Sequence, residues 1–205
     1  MNAEVFTVFL QISIGAIFIQ NFVLSRFLGL CPFFGVSKKI STAVGMGLSV
    51  TFIMVASTAF TWTLNYFVLI PNDLQHFQTI SFILIIASFT QLAEMAIKKN
   101  SPVLYESLGV FLPLMATNCA ILGVSLLNVE INQYTGIPFT FGGAILHSFM
   151  SGVGFSLALV LIAGIRERLE LANVPKPLEG LPIAMITAGL MAIAFLGFTG
   201  MAIGG

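Results

Sequence analysis

The chain has 205 residues, of which 58% are hydrophobic and 8% charged, with a formal net charge of +0. So few polar groups cannot cover a soluble globule of this length, and a mean hydropathy of +1.03 specifies an integral membrane protein. No basic tail or nucleic-acid patch exists, and the two cysteines do not make a disulfide framework.

About 20 apolar residues cross a bilayer core as a helix. Six stretches qualify in chain order: Val5 to Leu24, Ser41 to Leu64, Thr79 to Ile97, Val103 to Leu127, Phe139 to Ile165 and Leu181 to Ile203. The opening Met-Asn-Ala-Glu lacks the positive start of a cleavable signal peptide, so the first span is expected to be retained. The loops after the first, third and fifth spans carry Lys38 and Lys39, Lys98 and Lys99, then Arg166, Arg168 and Lys176, which is seven of the eight basic residues. By the positive-inside rule these loops are cytoplasmic and both termini lie outside. Trp62 and Tyr66, near the outer end of the second span, suit an aromatic belt or ordinary lipid-facing packing.

The two halves are related. Cys-x-x-x-Gly-Val-Ser occurs at Cys31 to Ser37 and again at Cys119 to Ser125, using the only two cysteines. Gly45-x-Gly47-x-Ser49 with Ala56 recurs as Gly152-x-Gly154-x-Ser156 with Ala163. The offset grows from 88 to 107 residues, which implies an insertion of 19 around Asn128 to Phe141. Three spans per repeat is an odd number, so the second half enters the membrane from the opposite face. The expected fold is an all-α membrane protein, a single membrane domain of two inverted three-helix repeats, 1–99 and 100–205. Such repeats place their working site near the midplane, commonly on broken helices. Asn21, Arg26, Gly29 and Pro32 interrupt the first cysteine segment, while Gly109, Pro113 and Asn118 interrupt the second, so broken or re-entrant pieces are expected around Cys31 and Cys119. At about 1.5 Å per helical residue the two cysteines lie roughly 10 and 16 Å from opposite faces, near mid-depth.

A buried free cysteine is ordinarily a small hydrophobe. Retention of one thiol per repeat argues instead for a paired role, either an intramembrane disulfide or ligation of a metal. Thiolates in low dielectric need a neutralising cation, which favours metal if they are ionised. Iron–sulfur clusters and structural zinc usually take four soft ligands, and this chain offers two thiols and a distant His147, so the rest must come from a second chain.

Asn21 to Leu24, Phe27 to Phe33, Gly35 to Lys39, Leu108 to Leu114 and Thr117 to Ala120 resemble the A subunit of the Rnf complex, and the likeness runs over essentially the whole chain. The E subunit of the Na+-translocating NADH:quinone reductase shares the pattern less closely. The resemblance implies a six-helix subunit that pairs pseudo-symmetrically with the paralogous Rnf E subunit, the two holding an intramembrane iron–sulfur cluster, a 2Fe-2S centre, with Cys31 and Cys119 at the ligand positions. It further implies a ferredoxin:NAD+ oxidoreductase in a bacterial or archaeal cytoplasmic (inner) membrane that exports Na+ or H+. The other subunits (B, C, D and G) would carry flavin, further iron–sulfur centres and the NAD+ chemistry.

Other residues carry weaker signals. Arg26 could balance a thiolate cluster, snorkel to an interface or pair with Glu94, and Glu94 could instead pair with Lys98 or line an ion path. Asn21 and Asn118 are expected to cap broken helices or donate to cluster sulfur. His147 reads as a satisfied polar residue between helices, His76 as an outer-loop residue without a role, and the paired glycines as sites of close backbone packing. Glu167 and Glu170 beside Arg166 and Arg168 read as a solvated helix end within reach of a soluble partner. The competing function is a secondary transporter, which inverted repeats also build, yet the midplane offers little besides Arg26 and a few Asn, Ser and Thr to bind a substrate.

Overall fold

The computed structural model describes residues 9–37, 39–72, 74–100, 115, 117–130, 139–172 and 175–198, and these are mainly helical with no strand among them. We label the helices α1 (Phe9–Ile19), α2 (Leu30–Val36), α3 (Ile40–Leu69, its last turn wound as a π-helix from Asn65), α4 (Gln78–Asn100), α5 (Cys119–Leu127), α6 (Phe141–Glu170) and α7 (Leu181–Leu196). Single 3-10 turns at Gln75–Phe77 and Lys176–Leu178 lead into α4 and α7.

Three helices are long and apolar enough to cross a membrane, Ile40–Leu69, Gln78–Met95 and Phe141–Glu170, matching the second, third and fifth expected spans. The first and sixth correspond to the shorter apolar helices Phe9–Ile19 and Leu181–Leu196. Of the fourth, the described helix is the short α5; Gly109 and Pro113 lie outside the described residues, as does Lys38.

The frame of the molecule is the antiparallel crossing of α3 and α6. With no hydrophobic effect between helices in lipid, close approach through small residues must supply the attraction. A Cβ on Gly47 would stand 2.6 Å from Ser156 Oγ, and one on Gly152 would stand 2.7 Å from Thr51 Oγ1, so each glycine admits a hydroxyl from the opposite helix. A Cβ on Gly154 would meet the backbone of Ala16 and Ile17 at 3.1 Å, which docks α1 on the same scaffold. The expectation of close packing holds for these three positions. Met46, Val50, Met54, Phe155, Leu159 and Ile162 fill the seam completely.

Trp62 does more than face lipid. Its indole N–H donates to the Phe139 carbonyl at 3.1 Å and its ring stacks on Tyr66 at 5.3 Å, tying the end of α3 to the start of α6. At the opposite end the Glu167 carboxylate accepts the Ile40 backbone N–H at 3.0 Å, so α6 is fastened to α3 by both ends.

Candidate functional site

Between α1 and α2 the chain is irregular from Gln20 to Gly29, with Phe27 at φ 55° and Gly29 at φ 82°. Phe27 is a bulky side chain in the left-handed region, a strained state that persists only where the surroundings impose it. Asn21, fully buried, replaces the missing helical hydrogen bonds: its Oδ1 accepts from the amides of Val23 and Leu24, and its Nδ2 donates to the carbonyls of Ile17 and Gly154 at 3.1 and 2.8 Å. The break expected in the first repeat is present, and Asn21 is its cap. In the second repeat the break falls at Thr117–Asn118, and the Asn118 Oδ1 accepts the Ala120 N–H at 3.0 Å, which starts α5 with an ordinary asparagine N-cap.

Both cysteines therefore sit at the start of a short helix that follows a break. Cys119 is the first residue of α5, and Cys31 is the second residue of α2, ahead of Pro32, whose missing N–H costs nothing in a first turn. The two segments touch. The Gly29 backbone N–H donates to Cys119 Sγ at 2.9 Å, and a Cβ on Gly29 would lie 3.1 Å from Ala120 Cβ and 3.2 Å from Asn118 Oδ1. Cys31 is two residues beyond Gly29, so its backbone is within about 7 Å of the residue that contacts the other thiol. Both thiols are free in the structure; Cys31 is exposed and Cys119 half-buried.

The donor set suits a soft metal centre. Cys119 opens a nine-residue helix directly after its Asn118 cap. The Asn118 Nδ2 is buried and has no hydrogen-bond partner among the described residues, although its own Oδ1 is used in the cap. A buried amide donor left open beside a cysteine is what a ligated sulfur would satisfy. No three His, Cys, Asp or Glu side chains converge among the described residues.

The remaining expected residues fall elsewhere. Arg26 is exposed on the irregular stretch before Gly29, and Glu94 is half-exposed on α4. His147 is buried and satisfied: its Nδ1 meets Asn128 Oδ1 at 2.7 Å while its ring stacks on Phe139 at 5.1 Å. That contact opens onto a buried network that the sequence does not reveal. Asn128 Nδ2 donates to Ser148 Oγ at 2.7 Å and to Thr58 Oγ1 at 3.4 Å, and the two hydroxyls share a hydrogen bond of 2.7 Å. Asn128 caps the far end of α5, so the network holds the helix that carries Cys119 against α3 and α6.

A matching arrangement holds α2. Arg166, near the end of α6, donates through Nη1 to the Phe34 carbonyl at 2.9 Å and to Ser37 Oγ at 2.8 Å. Arg166 is half-buried, not the solvated end that its neighbours Glu167, Arg168 and Glu170 suggest in sequence.

This pairing of two broken helices, each presenting a cysteine, belongs to a recognisable lineage: the family described as Rnf-Nqr subunit, membrane protein, matches residues 9–202. The chain belongs to the Rnf-Nqr family. It is 60% identical over 193 residues to the A subunit of the Na(+)-translocating ferredoxin:NAD(+) oxidoreductase complex of Acetobacterium woodii, covering 94% of this chain and 97% of that protein. The A subunits of the ion-translocating oxidoreductase complexes of Syntrophotalea carbinolica and Erwinia tasmaniensis are 55% and 51% identical, over 94% and 95% of this chain and 96% and 98% of theirs. The resemblance to an Rnf A subunit drawn from the cysteine motifs is thereby established at the level of sequence, and within the Rnf-Nqr family this chain is similar to the A-type membrane subunits.

Proposed function

We propose that this chain is the A-type membrane subunit of an ion-translocating ferredoxin:NAD+ oxidoreductase, and that Cys31 and Cys119 supply half of the ligands of an iron–sulfur centre whose other half comes from the paralogous E subunit. The observation that carries this reading is the 2.9 Å contact from the Gly29 amide to Cys119 Sγ, because it joins the two cysteine segments across 90 residues of sequence. When bound, such a centre would accept and release one electron within the membrane. The chain's own residues have three tasks. Cys31 and Cys119 present sulfurs from helix starts, the Gly29 amide donates to one of them, and the Asn118 Nδ2 is available to donate to sulfur. Hydrogen bonds of this kind raise the potential of a thiolate-bound cluster.

The family and the relatives support membership in a multi-subunit redox complex that moves ions. The name of the A. woodii relative favours Na+ as its ion, and we extend that choice to this chain as part of the proposal. Under this reading the six spans form two inverted repeats with both termini outside, and the ends of α4 and α6, with Lys98, Lys99, Arg166 and Arg168, face the cytoplasm. Catalysis on NAD+ belongs to other subunits.

The test uses the complete complex purified without oxygen. The wild type should contain iron and labile sulfide in this membrane pair and give a paramagnetic signal on reduction. Cys31→Ser and Cys119→Ser should each abolish that signal while flavin content stays unchanged. A serine variant that kept the centre at full occupancy would end the ligand assignment.

A further inference from the structure

Arg166 contacts neither thiol, yet it holds the end of the helix that carries one. We propose that Arg166 is the positioning residue for Cys31, fixing the depth and direction of α2 from the end of α6; the inference rests on the reading of Cys31 as a ligand.

Helix α2 has seven residues, well below the roughly 12 to 15 needed for a helix to be stable alone. Its N-cap is Gly29, which brings no side-chain cap, and its last carbonyls have no partner within the helix. Beyond the Gly29 contact at its start, two further anchors stand out among the described residues. One is Phe33, fully buried in the main core. The other is the Arg166 guanidinium, which takes the Phe34 carbonyl and the fully buried Ser37 hydroxyl together. Both bonds leave the one nitrogen Nη1, whose two N–H groups reach two acceptors at once, and a cation at a helix carboxyl end also complements the dipole.

Phe34 is three residues after Cys31, close to one turn, so the anchored carbonyl and the thiol are linked by about 5 Å of rigid helix. A displacement at one end is transmitted to the other. The neighbouring Glu167 extends the clamp, since its carboxylate accepts the Ile40 amide at the start of α3. Consecutive residues of α6 thus grip both sides of the α2–α3 junction. Asn128, which anchors the far end of α5 through neutral groups, has a different chemistry, so the far ends of the two cysteine helices are held independently.

The experiment uses the intact complex carrying Arg166→Gln, Arg166→Lys or the milder Ser37→Ala. In assembled Arg166→Gln complex we expect unchanged flavin, an altered g-anisotropy or midpoint potential of the intramembrane centre, and an electron-transfer rate lowered about tenfold, as is usual when a ligand-orienting partner is lost. Arg166→Lys, which keeps the charge but not the planar guanidinium, should fall between Gln and wild type, and Ser37→Ala should shift the spectrum in the same direction by less. Wild-type spectrum and rate in assembled Arg166→Gln complex overturns the proposal.

A second readout does not require the centre. In chelator-treated complex, the rate at which a small maleimide labels Cys31 should change severalfold in Arg166→Gln, while a reference thiol introduced by Ile186→Cys on α7 keeps its rate. Unchanged Cys31 labelling overturns the positioning role, as does an equal change at both thiols, which would report general loosening. If the wild type itself holds no iron while the labelling result is as expected, the ligand reading fails and the placement of Cys31 by Arg166 survives.

Discussion

The two cysteine helices carry the same seven-residue motif and are built in opposite ways. Helix α5 starts with a side-chain cap from Asn118 and ends in a neutral buried network through Asn128; α2 starts at a left-handed glycine and ends on a cation reaching in from α6. The repeated serine of the motif marks the divergence, since Ser125 bonds back to the Ile121 carbonyl within α5 and Ser37 receives Arg166. Both copies of the motif place the thiol at a helix start, and each is held by its own means. The thiol ends are alike and the supporting ends differ.

The largest test of this difference is at Gly29, which serves both helices. Alanine there would occupy a left-handed backbone at roughly 1–2 kcal/mol, and its Cβ would stand 2.7 Å from Phe155 Cε2, inside contact distance. With an overpacking term of about 1–3 kcal/mol, the expected loss is about 2–5 kcal/mol. The thermal midpoint of the purified complex should drop sharply, and the Gly29–Cys119 contact should be lost with it. A Gly29→Ala complex of wild-type stability would show that the two breaks do not pack against each other.

Legibility in the sequence depends on whether a signal is periodic or distributed. The boundaries of the second span, read as Ser41 to Leu64, agree with a helix that begins at Ile40 and runs to Leu64 before its π turn. The motif repeat leads directly to two cysteine segments that meet, because a duplicated cysteine leaves a trace in the sequence itself. The Thr58–Asn128–Ser148–His147 network leaves none: its members come from three segments, and a single polar residue in an apolar run resembles any other. Arg166 is hidden for a related reason. Its neighbours are charged and the cluster ends a helix, so solvation is the natural expectation, and only the arrival of the α2 carboxyl end shows where the guanidinium goes.

A smaller effect is expected from cutting the neutral anchor of α5. Asn128→Ala takes away the Asn128 partner of His147 Nδ1 and one of the two hydrogen bonds of Ser148 Oγ, at a cost of about 1–3 kcal/mol, at the low end if the membrane environment supplies alternatives. Because the anchors differ, this variant should perturb the Cys119 side while labelling of Cys31 keeps its rate. Equal effects at both thiols would mean that α2 and α5 are held as one unit, against their independence.

The smallest effect separates the two functions of one side chain. Asn118→Ser keeps an oxygen able to cap α5, and serine is about as good an N-cap as asparagine, so the thermal midpoint should hardly move. It removes the buried Nδ2 donor that has no partner among the described residues. If that donor serves a sulfur, the midpoint potential of the centre should fall, because one fewer hydrogen bond stabilises the reduced, more negative state. Asn118→Ala removes cap and donor together and should add a stability loss of about 1 kcal/mol to the same fall in potential. A serine variant with unchanged potential would reduce Asn118 to a cap, and the asymmetry between the two helix starts would then be purely structural.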